Sequence, residues 1–543
     1  MNPFFLLAIA VAVSMVIIPL AIRLAPRIGM VDLPDPRKVH TKPVPRVGGW
    51  GIVLGSVVPI IIVHKFDPLI QSFVIGSLTL FLYGMWDDAK QISHWVKFSG
   101  QLFAVGLVVY YGGLYVTHFP FLGVDTLNPA VGKLFTVFAM MGMINAANHS
   151  DGLDGLAGGE SMLSLMAIAF LGYIADDTLV PSLAFASMGG ILGFLRYNTY
   201  PAQVFMGDSG SQYLGFSLGF LAVYLTQIAH PTLSPSLPLL FLGLPISDIL
   251  AVLFQRIKGR MNWFRATRNH VHHRLLDLGF DHYETVVIIY SIQLMLVISA
   301  VLMRYQTDVL ITGTYFSVIA VLFAGLIAAE RSGWRAHRAD SSPRLASLIA
   351  RWKANSILRQ FPLVIISISI PIFIVGGAFW VAHVPRDFGV VSGVLACVLA
   401  AEIALDRTVR SVIVRATIYV AAVFSAYLVV HYPGEASYPL TTIGAVMMGV
   451  LAFAIALFIR VTSTSNFGTT PTDYLIMFGV LAVALFGSTY IEARDTAQLV
   501  IYGIVLLYGC EVVIGQITSR WHIVNLSALL GLCVMALRGL GYA

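Results

Sequence analysis

The sequence predicts an all-α, polytopic membrane helix bundle, and three observations support that fold class. Of the 543 residues, 58% are hydrophobic and only 11% are charged, whereas a soluble domain has about 25% charged residues. Apolar runs long enough to cross a bilayer, which takes about 20 residues, recur along the whole chain. Backbone polar groups in lipid must be satisfied internally, so helices are the expected spanning element and the lipid bilayer is the expected surrounding.

The apolar segments form two groups. Roughly eleven segments of spanning length precede a polar stretch at residues 330–361, and about seven follow it. We therefore expect a first membrane module at residues 1–329 and a second at residues 362–543. The segment centres lie near residues 14, 56, 76, 107, 138, 167, 187, 219, 245, 294 and 318 in the first module and near residues 373, 395, 421, 449, 481, 506 and 530 in the second.

The polar stretch between the modules contains the segment LASLIARWKANSIL at residues 345–358. Its basic and apolar residues suit a helix that lies along the membrane surface. A linker with solvated charges fits the same residues, and the sequence leaves both interpretations open.

The charged residues indicate how the chain is oriented. The 33 Lys and Arg residues exceed the 27 Asp and Glu residues by 6, and the cations fall in short loops between apolar runs. This pattern argues against a nucleic-acid partner, which requires a basic patch on a soluble face. The basic loops alternate along the chain, so the positive-inside tendency places them in the cytoplasm and the N-terminus on the outer side.

Two further features exclude other classes of protein. The three cysteines, Cys397, Cys510 and Cys533, have no spacing suited to a disulfide framework or a zinc site. The first apolar run lacks a basic leader and a clear cleavage site, so we expect a retained helix and not a removed signal peptide.

Asp87 and Asp88 form the first of four polar clusters, all of which are predicted to face the cytoplasm. They end the third apolar segment, in GMWDDAKQISHWVKFSGQ. Adjacent carboxylates beside lipid headgroups are costly unless a cation neutralises them, and Mg²⁺ or Lys97 would do so. A solvated pair at the membrane boundary is the alternative interpretation.

The second cluster is NAANHSDGLDGLAGG, which contains Asn145, Asn148, Asp151 and Asp154. Glycines beside the acids indicate a turn or a broken helix that brings the backbone close to a ligand. Asp and Asn oxygens suit a hard cation that is bound together with phosphates. A plain polar loop is the alternative, although it would not need acid and amide groups at this regular spacing.

The third cluster is RYNTYPAQVFMGDSGS, which contains Asn198, Phe205 and Asp208. An aromatic residue shortly before an Asp in a glycine-flanked loop could combine base stacking with metal binding. Taken alone, Phe205 would equally suit ordinary packing at the membrane interface.

The fourth cluster, RIKGRMNWFRATRNHVHHRLLDLGF, places His270, His272 and His273 among arginines. Helical zinc pairs need an i, i+4 spacing that is absent here, and the arginines would repel a cation. Guanidinium groups recognise phosphate bidentately, so a loop that clamps a diphosphate fits better. A positive-inside loop with incidental histidines is the alternative.

Acidic groups for a divalent cation and cationic groups for phosphates are thus predicted on one face of the membrane. Phosphoryl transfer between a soluble nucleotide and a membrane lipid is the economical interpretation. An intramembrane prenyltransferase is one rival, but it would need two NDxxD-like motifs, and only NHSDGLD comes near one. A transporter or flippase of a lipid-linked sugar is another, and it predicts ionisable residues along a path through the membrane.

The ordered motifs resemble those of a known family. In order, they are VDLPDPRKVHTKPVPRVGG, the Asp87-Asp88 pair with Lys97 downstream, NHSDGLDGLAGG, NTYPAQVFMGDSGS and HVHHRL. Residues 1–330 resemble the polyprenyl-phosphate N-acetylhexosamine-1-phosphate transferases, and the His-x-His-His form resembles their WecA/TagO branch and differs from the MraY branch.

This resemblance implies a reaction, a cofactor and a location. N-acetylhexosamine 1-phosphate, with GlcNAc as the expected sugar, would pass from a UDP-sugar to undecaprenyl phosphate with release of UMP. The transfer would initiate a cell-surface glycan such as a cell-wall polymer or O-antigen. The implied cofactor is Mg²⁺, with Mn²⁺ as a substitute, and the implied location is the bacterial cytoplasmic (inner) membrane.

The same resemblance implies roles for particular side chains. Asp208 is the expected main metal ligand, with Asp87, Asp88 and Asp151 as further ligands. The expected catalytic residues are Asp87, Asp88, Lys97, Asp208, His270, His272 and His273. The expected substrate-binding residues are Lys38, Asn148, Asp151, Asp154, Asn198, Phe205 and Arg268, with Phe205 stacking on the uridine.

One position departs from the family pattern. Thr267 stands where the family usually has Asp, so a charge-dependent role at this position is not expected to carry over and the choice of sugar could differ. The second module lies outside the family pattern, and its role is not predicted. The oligomeric state, including a homodimer, is left open.

Overall fold

The computed structural model describes most of the chain, and its described residues fall into two compact units. Those of the first unit lie within Met1–Ala339 and those of the second within Asp340–Ala543. The described ranges are residues 3–34, 43–119, 126–260, 270–336, 356–404, 412–433, 437–461, 491–516 and 523–541.

Helices make up nearly all of the first unit, which confirms the predicted fold class. Each of the eleven segment centres predicted for the first module lies in one of these helices or in a π-helical extension of one. The helices are α1 (Pro3–Leu24), α2 (Gly48–Val63), α3 (Pro68–Lys90), α4 (His94–Gly106), α5 (Pro129–Ser150), α6 (Leu156–Ile174), α7 (Leu179–Asn198), α8 (Gly207–Tyr224), α9 (Pro238–Phe241), α10 (Gly243–Lys258), α11 (Val271–Asp277), α12 (His282–Leu302) and α13 (Asp308–Arg331).

Length and composition identify the helices that can span a membrane. Within the described ranges of both units, nine helices are long and apolar enough to do so. Shorter apolar helices, such as α2, occur beside them, whereas the predicted segments near residues 107, 219 and 245 lie in helical segments that belong to neither group. The chain is therefore a multi-pass membrane protein.

Local sequence signals set the beginnings of several helices. Asp67 and Asn128 are N-caps of α3 and α5, and the side chain of each accepts a hydrogen bond from a backbone N–H of the first turn. Asp281 and Glu284 form a capping box at the start of α12. These contacts satisfy N–H groups that have no partner inside the helix, so each helix begins at a defined residue.

Two short strands precede α2, a feature that the apolar pattern did not predict. β1 (Val31–Asp32) pairs in antiparallel fashion with β2 (Val44–Pro45). Arg46 follows β2 directly, and its guanidinium donates to the carboxylate of Asp32. An ion pair therefore closes the strand pair immediately before α2 begins.

Helices α2, α3 and α8 approach one another at backbone distance because glycines face the contacts. A Cβ added at Gly84 would lie 2.4 Å from the Cα of Ser209, and one added at Gly49 would lie 2.3 Å from the backbone nitrogen of Gly210. Small residues at helix contacts are the usual means of close packing in membranes. The contact places the end of α3 directly against the first turn of α8.

The second unit is also helical. Its described helices are α14 (Ser356–Trp380), α15 (Arg386–Ala404), α16 (Val412–His431), α17 (Ser437–Val461), α18 (Ile491–Gln516) and α19 (Ile523–Gly539). They contain six of the seven segment centres predicted for this module. The seventh centre, near residue 481, and residues 345–355 of the predicted surface helix lie outside the described residues. All three cysteines of the chain belong to this unit and are free.

The substitution Gly84→Ala tests the backbone contact between α3 and α8. The added Cβ would force the two backbones apart, and overpacking of this kind costs about 1–3 kcal/mol. We expect a lower apparent melting temperature for the purified protein in detergent. Gly142→Ala in α5 is the matched control, because no atom lies within 4 Å of its added Cβ. Equal melting temperatures for the two variants would contradict the close contact.

Candidate active site

Lys97 joins two carboxylates that are far apart in the sequence. Its Nζ lies 2.6 Å from Oδ2 of Asp87 and 2.8 Å from Oδ2 of Asp208. Asp87 lies near the end of α3, Lys97 lies in the first turn of α4, and Asp208 lies in the first turn of α8. Three helices therefore bring two acids and one amine to the same point.

Asp88 holds the first turn of α8. Its Oδ1 accepts from the backbone N–H of Asp208 at 2.9 Å, and its Oδ2 accepts from the N–H and the hydroxyl of Ser209 at 3.2 and 3.1 Å. Because N-terminal N–H groups lack intrahelical partners, this carboxylate caps α8 from a neighbouring helix. Gly207, with φ +70°, permits the approach, since a Cβ there would lie 2.5 Å from Oδ2 of Asp88. A role for Asp88 as a metal ligand stays a prediction.

Two asparagines of α5 make side-chain hydrogen bonds in this region, and one of them contacts Asp208. Asn148 donates its Nδ2 to Oδ1 of Asp208 at 3.1 Å and to the hydroxyl of Ser211 at 2.8 Å. One turn earlier in α5, Asn145 donates to Oε1 of Gln101 at 3.0 Å. These bonds satisfy polar groups that would be costly to bury alone, and they fix the Asp208 carboxylate against α5.

The loop between α5 and α6 contributes Asp151 and Asp154. Burial, followed by the nearby carboxylates of Asp208 and Asp154, raises the pKa of Asp151 to about 7. Asp154 accepts from the backbone N–H of Ala202 at 2.9 Å through its Oδ2. Asp151 therefore interacts electrostatically with Asp208, while Asp154 connects this loop to the segment that precedes α8.

Asn198 and Phe205, which were predicted to contact the uridine, have different surroundings. Asn198 is buried, its Oδ1 accepts from the N–H of Gly155 at 2.8 Å, and its Nδ2 donates to the carbonyl of Val204 at 2.8 Å. The side-chain amide of Asn198 therefore links the loop that precedes α6 to the loop that precedes α8. Phe205 is half-buried, and its backbone N–H donates to the carbonyl of Pro45 at 2.8 Å. Contact of either side chain with a uridine stays a prediction.

The His-rich segment packs against α5 and α10. His270 precedes α11, and its Nδ1 lies 2.6 Å from Oδ2 of Asp248 in α10. Its ring stacks against His149 in α5, with centroids 5.4 Å apart, and against His272, with centroids 5.6 Å apart. His149 directly follows Asn148, which donates to Asp208. The His-rich segment therefore connects, through His149, to the acidic group of Asp87, Asp151 and Asp208.

His272 occupies a tight position beside the α5–α6 loop. Burial, followed by the neighbouring His273, lowers the pKa of His272 to about 3, so its ring is neutral at physiological pH. A Cβ added at Gly152 would lie 2.3 Å from Nε2 of His272. Only a glycine lets the loop backbone approach this ring, and the second and fourth sequence clusters therefore meet here.

The structure thus brings members of all four clusters into one region of the first unit. Within the described ranges, no group of three His, Cys, Asp or Glu side chains forms a ready metal cluster. Asp87 and Asp208 instead share the amine of Lys97. Their carboxylate oxygens and the Asn148 carbonyl oxygen are nevertheless ligand types that Mg²⁺ prefers. Outside the described residues lie three of the positions singled out in the sequence: Lys38, Thr267 and Arg268.

Known proteins are similar in sequence to the first unit, which contains this site. A family model described as glycosyl transferase family 4 matches residues 70–226. A probable undecaprenyl-phosphate N-acetylglucosaminyl 1-phosphate transferase of Bacillus subtilis strain 168 is 33% identical over 317 residues, which cover 58% of this chain and 88% of that protein. The chain belongs to the polyprenyl-phosphate N-acetylhexosamine-1-phosphate transferase family.

Two further members of the family have a similar level of sequence identity to this chain. The undecaprenyl-phosphate alpha-N-acetylglucosaminyl 1-phosphate transferase of Escherichia coli K12 is 30% identical over 291 residues, 52% of this chain and 79% of that protein. The decaprenyl-phosphate N-acetylglucosaminephosphotransferase of Mycobacterium tuberculosis H37Rv is 32% identical over 298 residues, 49% of this chain and 74% of that protein. The resemblance deduced from the ordered motifs is confirmed.

The sequence motifs did not identify three buried or partly buried ionisable residues of this chain: Asp248, Glu160 and His149. Asp248 interrupts the apolar segment FLGLPISDILAV, and Glu160 lies inside α6. Ionisable residues inside apolar runs are costly and often functional, and this is the signal that could have identified both. His149 lies within the second cluster but offers no oxygen ligand, so a pattern based on Mg²⁺ ligands does not select it.

The substitution Asp88→Asn tests the cap on α8. The amide nitrogen of the new Asn would face the N–H groups of Asp208 and Ser209, which are themselves hydrogen-bond donors. A buried donor without an acceptor costs about 1–3 kcal/mol. We therefore expect a lower apparent melting temperature than for the wild-type protein. Asp67→Asn at the other end of α3 is the matched control, because Asn also caps a helix well and can still accept from the N–H of Ile70. An equal or larger loss of thermal stability for Asp67→Asn would contradict the capping role of Asp88.

Proposed function

We propose that this protein transfers N-acetylglucosamine 1-phosphate from UDP-GlcNAc to undecaprenyl phosphate and releases UMP. The observation that carries the proposal is the group in which Lys97 bridges Asp87 and Asp208 beside Asn148. The relatives named above are described as N-acetylglucosamine 1-phosphate transferases that act with undecaprenyl or decaprenyl phosphate. Those relatives do not favour a transporter of a lipid-linked sugar or a prenyltransferase.

The charge of the site supports a divalent cation as cofactor. Asp87 and Asp208 share the amine of Lys97, and Asp88 and Asp151 interact electrostatically with Asp208, so carboxylates outnumber that amine. Like charges at short range repel strongly in a medium of low dielectric constant, and a hard cation with oxygen ligands would offset this repulsion. Asp208 and Asp87 would hold Mg²⁺, with Asp151 close by, and Mn²⁺ would substitute. When bound, the cation would neutralise charge on the diphosphate.

The chemistry that this site supports is an in-line displacement at phosphorus. An oxygen of the lipid phosphate forms a bond to the β-phosphorus of the nucleotide sugar. The bond from that phosphorus to the bridging oxygen breaks, and UMP leaves with the electron pair. A phosphate monoester has a second pKa of about 6, so the attacking oxygen is largely ionised at neutral pH and needs no strong base. The barrier is then mostly charge repulsion and positioning.

Lys97 would hold a phosphate oxygen during this step. Its amine has three donors, and two of them are directed at Asp87 and Asp208. A third donor remains for an anionic substrate, and contact with a phosphate would reduce repulsion between the two reactants. The competing scheme uses an aspartate as a covalent nucleophile, and it predicts a phosphorylated enzyme in the presence of the donor alone.

We also propose that transfer takes place at the cytoplasmic face of a bacterial inner membrane. Asp87 and Asp88 lie at the end of α3 that Lys90 closes, whereas Asp67 caps its other end. Lys90 belongs to the basic loops that the positive-inside tendency assigns to the cytoplasm. The family members named above come from bacteria.

Release of UMP by the purified full-length protein tests the reaction. The protein is incubated with undecaprenyl phosphate and a panel of UDP-N-acetylhexosamines, first with Mg²⁺ and then with EDTA. We expect UMP from UDP-GlcNAc, loss of that signal in EDTA, and recovery when Mg²⁺ or Mn²⁺ is restored. Absence of UMP with every donor would reject the proposed function, and labelled protein trapped with donor alone would replace direct transfer by the covalent scheme.

The substitution Asp208→Asn tests the proposed cation site. We expect turnover to fall by about 100-fold or more, and the rise in melting temperature that bound Mg²⁺ gives the wild-type protein should disappear. Asp67→Asn makes the same chemical change at the far end of α3, where Asn also caps a helix well, so it serves as the matched control. Near-full activity or an unchanged Mg²⁺ response in Asp208→Asn would remove Asp208 from the site.

A further inference from the structure

Asp248 is a buried carboxylate in α10, and both of its oxygens have partners. Asp248 and His270 are each only 7% exposed. Oδ2 of Asp248 lies 2.6 Å from Nδ1 of His270, and Oδ1 accepts from the backbone N–H of Val271 at 2.8 Å. A buried carboxylate is costly unless it is paired and hydrogen-bonded, and here both bonds go to the His-rich segment.

The bond to Val271 fixes where the His-rich segment begins. Val271 is the first residue of α11, and an N–H at this position has no acceptor within its own helix. Asp248 supplies the acceptor from α10. The backbone that carries His272 and His273 is therefore anchored to α10 at the first residue of α11.

The bond to His270 fixes the state and the direction of its ring. An ionised carboxylate only accepts hydrogen bonds, so Nδ1 of His270 carries a proton and Nε2 is the nitrogen left for another partner. Stacking against His149 and His272, with interplanar angles of 25° and 11°, holds the plane of the ring. Groups other than the substrates therefore determine both the tautomer and the orientation of His270.

The surroundings of the His270 ring suit an anionic ligand. Its neighbour His149 directly follows Asn148, which donates to Asp208, and the Asp208 carboxylate acts electrostatically on His149. Arg256 in α10 acts electrostatically on His149 and adds positive charge on this side. A nucleotide-sugar diphosphate bound at the acidic group would meet the guanidinium of Arg256 and the ring of His270.

We propose that Asp248 is a positioning residue that presents Nε2 of His270 to the diphosphate of the nucleotide sugar, an inference that rests on the proposed transferase function. In its protonated form the ring keeps its bond to Asp248 and offers Nε2–H to a phosphate oxygen, which is a charge-assisted hydrogen bond. Carboxylates that orient a metal-bound histidine through its other ring nitrogen contribute about 10- to 100-fold to activity, and we expect an effect of similar size here.

A double-variant cycle in the purified full-length protein tests this role. His270→Asn keeps an N–H that can donate to Asp248 but lacks Nε2, and Asp248→Asn removes the carboxylate. We expect each variant to lower kcat for UMP release about 10- to 100-fold. Because Asp248 acts through His270, we expect the double variant to be no slower than His270→Asn alone. Ser247→Ala, at the adjacent buried position in α10, is the matched control and should retain wild-type kcat.

If the fall in kcat of the double variant equals the product of the falls in the two single variants, the positioning role is overturned. Wild-type kcat in Asp248→Asn would overturn it as well. If Asp248→Asn yields no folded protein, His270→Asn decides the question, since it preserves the anchor. Folded protein with reduced kcat then supports the role of Nε2, and wild-type kcat refutes it. Wild-type protein that releases no UMP would instead reject the proposed function itself, so the two failures are distinguishable.

Discussion

The candidate site depends on one interaction, the capping of α8 by Asp88 from α3. The first turn of α8 carries Asp208, and its free N–H groups need acceptors. A carboxylate from the neighbouring helix supplies them. The glycine contact between Gly84 and Ser209 brings the two backbones close enough for these bonds. Helix packing and the position of Asp208 are therefore coupled, and a change in one must alter the other.

A second constraint is the balance of charge close to the lipid. Asp87 and Asp208 share the amine of Lys97, which lowers their mutual repulsion. Under the proposed function, these carboxylates would hold a hard cation and the same amine would turn to a phosphate. A single lysine would then connect these two tasks.

Much of the fold and the composition of the site could be predicted, because both are local properties of the chain. Apolar length marks the spanning helices, and glycine-flanked acids mark the polar loops. The partner of each polar side chain could not be predicted in this way. Asp88 bonds a backbone N–H that is 120 residues away, and Asp248 bonds a histidine 22 residues away. Such pairs follow from how helices pack, which no short sequence motif contains.

The distribution of cysteine has a practical consequence. All 3 cysteines lie in the second unit, and residues 1–339 contain none. Replacing those three by serine or alanine would leave a thiol-free background. Single cysteines could then be introduced at Lys65 or Lys90, at opposite ends of α3, and labelled from one side of sealed vesicles with a maleimide that does not cross lipid. The sidedness of the acidic end of that helix would thereby become directly measurable.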